Sequence, residues 1–416
     1  MRNMNYKPIA LGSITELSNE EWLKWREHGP LHDDPSDPRY IKTAIGGSDV
    51  AKILNVSPWE TNIEFWYKKT SKPVALSRPM NQAALEGGHL FEPFVGQRFY
   101  QKMVKDGYRI EMIPDFTMYR SGEILLDDDG LPVVDMETGT NVLRYPFALA
   151  DLDERGRIYI DGKWHPFIAE YKTTSAMKFD NIQHWKDGIV PIYYEYQCRW
   201  YMAVTNIDIC FICCCWGFRE DECAIIRIDR DLEIEEEMLE EVKSFVACVE
   251  SETEPDISSC KADLFNNFYL RLYGERDSYK YVELDPDQYA GIFMKAKKLD
   301  EKIQAAEKTT AELKAQREEI YKELFTVYGD CAVGKCKIGD EICTLTLKPS
   351  MTRGGLDIEK MIAENPALFN KYANSVNSTL LKKENPEEYK KYYIPPKMKP
   401  EGGGTFVFKS KMDDAS

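Results

Sequence analysis

The sequence lacks any apolar run approaching the roughly 18 residues of a membrane span. Its first residues, MRNMNYKPIALGS, lack the long apolar core of a signal peptide. The expectation is an intracellular, cytoplasmic protein with no membrane partner. No cysteine precedes Cys198, so nothing on the N-terminal side can close an iron–sulfur cluster. Cysteines crowd instead into ICFICCCWGF (Cys210, Cys213, Cys214, Cys215), where Cys210-x-x-Cys213 has no second C-x-x-C unit to complete a zinc site. Reduced thiols on a buried strand are expected there. The run Asp127-Asp128-Asp129-Gly130 lacks the acid that closes a calcium loop and reads as a solvated hairpin tip. Positive charge is also short: the net charge is −16, which argues against loose, non-specific coating of nucleic acid. It does not exclude a threaded or metal-bridged substrate, because affinity follows local basic stripes and the balance includes acidic metal ligands.

What is present is an ordinary globular composition, 43% hydrophobic over 416 residues, too long for one core. Ser18 with Glu21 forms a capping box for the helix NEEWLKWREHG, with Trp22 and Trp25 as its buried face and Arg26 beside them. Gly46-Gly47-Ser48 opens the next helix, where free amides and the Ser48 hydroxyl suit either a phosphate or a plain cap. Leu85, Phe91, Val95 and Phe99 mark the buried stripe of a third helix, flanked by Glu86, His89 and Glu92. Residues 286–328 carry a 3-4 apolar alternation that predicts a coiled-coil-like helix. The expected organisation is an α/β (α+β) domain over 1–250, a linker over 251–285, that helix, and a small α+β C-terminal region over 329–416.

The stretch that organises the first domain is FALADLDERGRIYIDGKWHPFIAEYKTTS, residues 147–175. FALADLD and FIAEYKTT read as strands, folded into a hairpin by the turn-rich segment between them. Asp153 closes the first run. Glu170 and Lys172, two apart in the second, leave a strand by the same face. Two acids and a lysine converging on one sheet face require a counter-charge, and a divalent metal with phosphate supplies it. Asp151, alternating with Ala150 and Leu152, is expected to point away from that face. After the hairpin, VPIYYEYQCRWYMAVT is helical with Tyr193, Gln197 and Tyr201 on one stripe, and a buried strand follows. This β-β-α-β order predicts a mixed sheet with a helix over it. The residue set suits phosphodiester hydrolysis, which needs an activated water and a neutralised phosphate. Glu92 on an adjacent helix and the Tyr171 carbonyl are further hard oxygen ligands.

Taken in order, EEWLKWR, IGGSDVAKILNVSPWET, GHLFEP, ALADLD, AEYKTTS and VPIYYEYQCRWYMAVT resemble the PD-(D/E)XK nucleases, specifically the YqaJ-type viral recombinases related to phage lambda exonuclease. The resemblance spans roughly residues 18–218. It implies a restriction-endonuclease-like core, a mixed central sheet flanked by helices. It implies a 5′-to-3′ exonuclease on double-stranded DNA ends that uses Mg²⁺, with Mn²⁺ as an alternative, and leaves 3′ single strands for phage-type recombination. Catalysis is then carried by Glu92, Asp153, Glu170, Lys172 and Gln197, with metal held by Glu92, Asp153, Glu170 and Tyr171. Arg26, Ser48, Lys172 and Tyr201 contact the DNA and its 5′ phosphate. Partners implied are a single-strand annealing protein and a homo-oligomer, a trimer by resemblance, in a phage or prophage setting. The chain departs from the family pattern where Glu154 follows the metal aspartate in place of glycine. A long insert also separates Arg26 from Gly46, which leaves Arg39 or Lys42 as alternative phosphate hooks. An endonuclease or nickase on the same fold, or a non-catalytic DNA-binding scaffold, are the competing functions.

Overall fold

Alternation in ERGRIYI and KWHPFIAEYKT builds the centre of the fold. A computed structural model describes residues 6–34, 37, 40–78, 82–113, 116–174, 179–274, 276, 280–328, 331, 333–338 and 341–346. The side chains of Leu85, Glu86 and His89, all of Arg39, and the tail beyond residue 346 lie outside the described ones. A first compact unit runs through Arg276. Its elements are β1 (Ile9–Ser13), α1 (Asn19–His28), α2 (Gly47–Ile53), α3 (Asn62–Lys69), α4 (Gln82–Lys105), β2 (Ile110–Ile113), β3 (Thr117–Arg120) and β4 (Leu149–Asp151). They continue as β5 (Glu154–Ile160), β6 (Lys163–Thr173), α5 (Phe179–Lys186), α6 (Ile192–Thr205), β7 (Ile209–Cys215), β8 (Cys223–Asp229), α7 (Leu232–Glu250) and α8 (Ala262–Tyr273).

A five-stranded sheet has the order β2-β5-β6-β7-β8, and a three-stranded sheet the order β1-β3-β4. β5 and β6 pair antiparallel from Glu154↔Ala169 to Ile160↔Lys163. Their turn is Asp161-Gly162, both at positive φ (49° and 83°), the backbone a two-residue hairpin demands. β6 and β7 pair parallel, Glu170 opposite Ile212, so the connection between them carries α5 and α6. The mixed α/β core with helices on a mixed sheet is the expected fold class.

The hairpin, however, is not the expected one. FALADLD and FIAEYKTT do not fold onto each other, because ERGRIYI is itself a strand and only Asp161-Gly162 is turn. The β-branched and aromatic alternation of Ile158, Tyr159 and Ile160 outweighs the single glycine. Gly156 is there for space: a Cβ would stand 2.6 Å from both the Glu111 carbonyl oxygen and the Phe167 ring. FALADLD therefore belongs to the three-stranded sheet through β4, which ends at Asp151, and the five-stranded sheet begins only after it, with β5 at Glu154. Asp153 sits on the crossing.

The two faces of β6 meet different helices. Phe167, Ala169 and Tyr171 pack with Val95 and Phe99 of α4. Ile168, on the opposite face, joins the cluster that holds Cys198, Trp200 and Tyr201 of α6 and Met238, Val242 and Phe245 of α7. Phe91, expected in the buried stripe of α4, is instead 39% exposed, near the ring of Phe218. Trp22 and Trp25 are half-buried, and no residue of α1 is fully buried. Every cysteine of β7 is a buried free thiol.

The stretch 251–285 is not simply a linker. It contains α8, whose Phe265, Phe268 and Leu272 join the main core at helical spacing. Arg271 of α8 pairs with Glu64 of α3 at 2.8 Å, both almost completely buried. The second unit contains α9 (Pro286–Tyr328) and an antiparallel pair, β9 (Val333–Ile338) with β10 (Glu341–Thr346). Along α9, the apolar residues Ile292, Leu299, Ile303, Leu313 and Ile320 are all more than half exposed.

Candidate functional site

Strand alternation sends Glu170 and Lys172 to the α6 side of β6, and helical spacing sends Gln197 and Tyr201 back towards them. Glu170 is fully buried. Its Oε1 accepts from Lys172 Nζ and from Gln197 Nε2, the latter at 2.7 Å. Gln197 Nε2 also donates to the Tyr201 hydroxyl oxygen at 3.0 Å. Asp153 reaches the same place from the crossing between sheets, and its Oδ2 accepts from the Tyr171 amide at 2.7 Å. A cavity of about 350 Å³ opens here. Glu92, Asp153, Glu170, Lys172, Gln197, Tyr201, Arg26 and Ser48 all line it.

Tyr171 lines instead an adjoining cavity shared with Glu92, Asp153 and Glu154. Its hydroxyl donates to Glu154 Oε2 at 2.5 Å, and its ring faces α4. The glutamate in place of glycine thus fastens β5 to β6.

The phosphate-hook residues converge despite the long insert. Arg26 Nη2 donates to Ser48 Oγ at 2.7 Å, lies 3.6 Å from Asp49 and stacks over the Trp22 ring at 4.9 Å. Asp49 is held at a carboxylate's low end: burial alone would raise it, but Lys52, Arg26 and Lys69 together outweigh that. Lys42 points elsewhere, 3.9 Å from Glu250, and does not line the cavity.

Asp151 does not turn away as alternation suggested. It lines the cavity, and its Oδ2 accepts from Trp22 Nε1 at 2.7 Å. The chain leaves the three-stranded sheet at this residue, so strand alternation no longer governs its direction. Trp22, read only as packing, is likewise a wall of the cavity. Gly47, expected only for its helix-opening amide, also contributes space: its bare backbone lets the Tyr201 ring approach to where a Cβ would be 2.5 Å away.

Burial raises the Glu170 carboxyl to about 8, and the Asp153 charge adds to it, while Lys172 opposes both. Burial works against the Lys172 ammonium, but Glu170 and Asp153 hold it well above the ordinary lysine range. Burial, then Glu170 and Asp153, push the Tyr201 phenol well above its usual value. The wall thus carries four carboxyl groups, Glu92, Asp151, Asp153 and Glu170, against two cations, Arg26 and Lys172.

The four-ligand cage expected from the sequence is not closed. Among the described residues no three acidic, histidine or cysteine side chains stand together at metal-holding distances. The donor set still fits a hard divalent cation. Glu170 Oε2 is buried and accepts no hydrogen bond, Asp153 repels it across the cavity, and Glu92 lies on the same wall.

The YqaJ-like viral recombinase domain matches residues 21–208. The uncharacterized protein YqaJ of Bacillus subtilis (strain 168) is 29% identical over 197 residues, 47% of this chain and 46% of that protein. The chain therefore spans about half the length of that curated relative. A crystal structure of an alkaline exonuclease (LHK-Exo) from Laribacter hongkongensis aligns at 18% identity and a TM-score of 0.31, covering 50% of this chain and 89% of the other. LHK-Exo in complex with dAMP aligns at 17% identity, with the same coverages and TM-score. The side chains on the cavity wall, Ile14 apart, all fall inside the matched stretch. Residues 21–208 of this chain, which carry that wall, are similar to the YqaJ-like viral recombinase domain.

Proposed function

We propose that the chain is a metal-dependent deoxyribonuclease that digests linear double-stranded DNA from its 5′ ends and leaves 3′ single strands. One observation carries the reading: a fully buried glutamate with an unpartnered oxygen faces a second carboxylate and a charged lysine in an open cavity. Such an arrangement is costly without a cation and an anionic substrate. Asp153 and Glu170, with Glu92, would hold Mg²⁺ or Mn²⁺. When bound, the ion lowers the pKa of an attacking water and neutralises the phosphate.

The chain's own residues do the rest. Lys172, kept cationic by Glu170 and Asp153, donates rather than accepts, so it orients the attacking water and stabilises phosphate charge. Gln197 holds Glu170 by bonding Oε1, which leaves Oε2 without a hydrogen bond and free for a cation. Arg26 positions Ser48, whose hydroxyl proton stays available to a terminal phosphate oxygen while the guanidinium supplies a planar fork. Tyr201, kept protonated, braces Gln197. The reading carries the family-implied partners with it: a single-strand annealing protein and a homo-oligomer, whose mass light scattering would measure.

The test is end-labelled linear duplex incubated with Mg²⁺, Mn²⁺ or a chelator. Release should begin at the 5′ label, stop in chelator and fail with Asp153→Asn. Cutting of covalently closed circles would replace the exonuclease with an endonuclease. An Asp153→Asn protein identical to wild type in every property would point to a non-catalytic scaffold.

A further inference from the structure

Away from the carboxylates, an aromatic path runs from solvent to Lys172. Trp59, between α2 and α3, is 52% exposed and belongs to no core cluster of the described residues. Its ring meets that of Tyr193 edge-on at 5.0 Å, and Tyr193 meets Tyr194 at 4.4 Å. The Tyr194 ring lies 5.1 Å from Lys172 Nζ. The loop that presents the indole is firmly built. Ser57 Oγ accepts from the Trp59 and Glu60 amides at 3.1 and 3.3 Å. The Arg78 guanidinium donates to the Trp59 carbonyl, and Lys261 Nζ donates to the Ser57 carbonyl at 3.2 Å.

We propose that Trp59 and Tyr193 form a stacking platform for unpaired bases of a DNA strand adjoining the cavity, with Arg78 and Lys261 beside its phosphates. The proposal rests on the nuclease reading above. An exposed indole flanked by cations is the chemistry that holds single strands, since every base offers a π-face and every linkage a negative charge. Bases within a duplex are already stacked on one another and gain nothing from these rings. Exposed Trp and Tyr also anchor protein partners, but continuity through Tyr194 to Lys172 favours the strand that enters or leaves the site.

The test uses the whole chain in chelator, so that nothing is cut, and a fluorescein-labelled thymidine homopolymer read by anisotropy. Stacking predicts that Trp59→Ala binds at least about fivefold more weakly, the low end of what one base–aromatic stack contributes. Tyr193→Leu should also weaken binding, and Trp59→Phe should restore most of it. An abasic chain of equal length should bind wild type and Trp59→Ala alike. Equal affinity of wild type and Trp59→Ala for the homopolymer overturns the inference and assigns the indole to a protein contact. Equal affinity of wild type for the homopolymer and the abasic chain also overturns it. If wild type digests linear duplex while Trp59→Ala binds unchanged, only this inference fails; if wild type neither binds nor digests DNA, the nuclease reading fails with it.

Discussion

Gly47→Ala isolates the contact on which the wall of the site depends. The new Cβ would stand 2.5 Å from Tyr201 Cε1, 2.8 Å from Cζ and 3.1 Å from the hydroxyl oxygen. Tyr201 cannot easily withdraw: it is buried in the main core, and its hydroxyl accepts from Gln197, which is itself held on Glu170. Overpacking of this kind costs about 1–3 kcal/mol. The opposing effect is helix propensity, which favours alanine over glycine by at most about 1 kcal/mol. The sign of the change therefore discriminates between the two effects. Urea denaturation should show Gly47→Ala destabilised, and duplex digestion should fall with it as Gln197 loses its brace. In the double variant Gly47→Ala/Tyr201→Leu the clash is gone, so the combined cost should be smaller than the sum of the single costs by about 1 kcal/mol or more. A Gly47→Ala protein as stable as wild type, or an additive cycle, would refute the reasoning.

The remaining expectations concern α8, pH and DNA ends. Arg271→Met should cost about 3–5 kcal/mol in urea denaturation, because it leaves Glu64 buried without its partner; Glu64→Gln in the same chain should recover part of the loss. In metal-free protein, Glu170 binds its proton more tightly folded than unfolded, since burial and Asp153 raise it from 4.5 to about 8. The stability this proton confers is full below its unfolded pKa and is lost as pH rises through about 8. Melting temperature should fall across that window in wild type and fall less in Glu170→Gln; equal slopes would contradict the assignment. If Arg26 and Ser48 grip the terminal phosphate, wild type should digest 5′-phosphorylated duplex faster than 5′-hydroxyl duplex, and Arg26→Ala should lose that preference. Equal wild-type rates would remove the role.

The sequence by itself determined the features that depend on a few neighbouring residues. Period-two alternation put Glu170 and Lys172 on one face, and one helical turn put Gln197 and Tyr201 on one stripe. The ordered motif pieces pointed to the acids and the arginine that the structure brings to a single cavity. Tertiary structure decided what such periodicities cannot carry. Asp151 joins the wall because the chain changes sheets beside it, and its direction follows that crossing rather than strand alternation. Arg26 meets Ser48 across an insert whose length gave no hint of its path. Glu92 lines the cavity without closing a cage, since its place depends on how α4 lies across the sheet. α8 read as linker because its acidic, proline-containing approach (ESETEPDISSC) masked a short apolar stripe. That stripe packs into the main core, and its contacts with Tyr67 and Glu64 of α3 come from elements some two hundred residues earlier in the chain. Local spacing sets which side of an element a residue occupies, and long-range packing sets what that side faces.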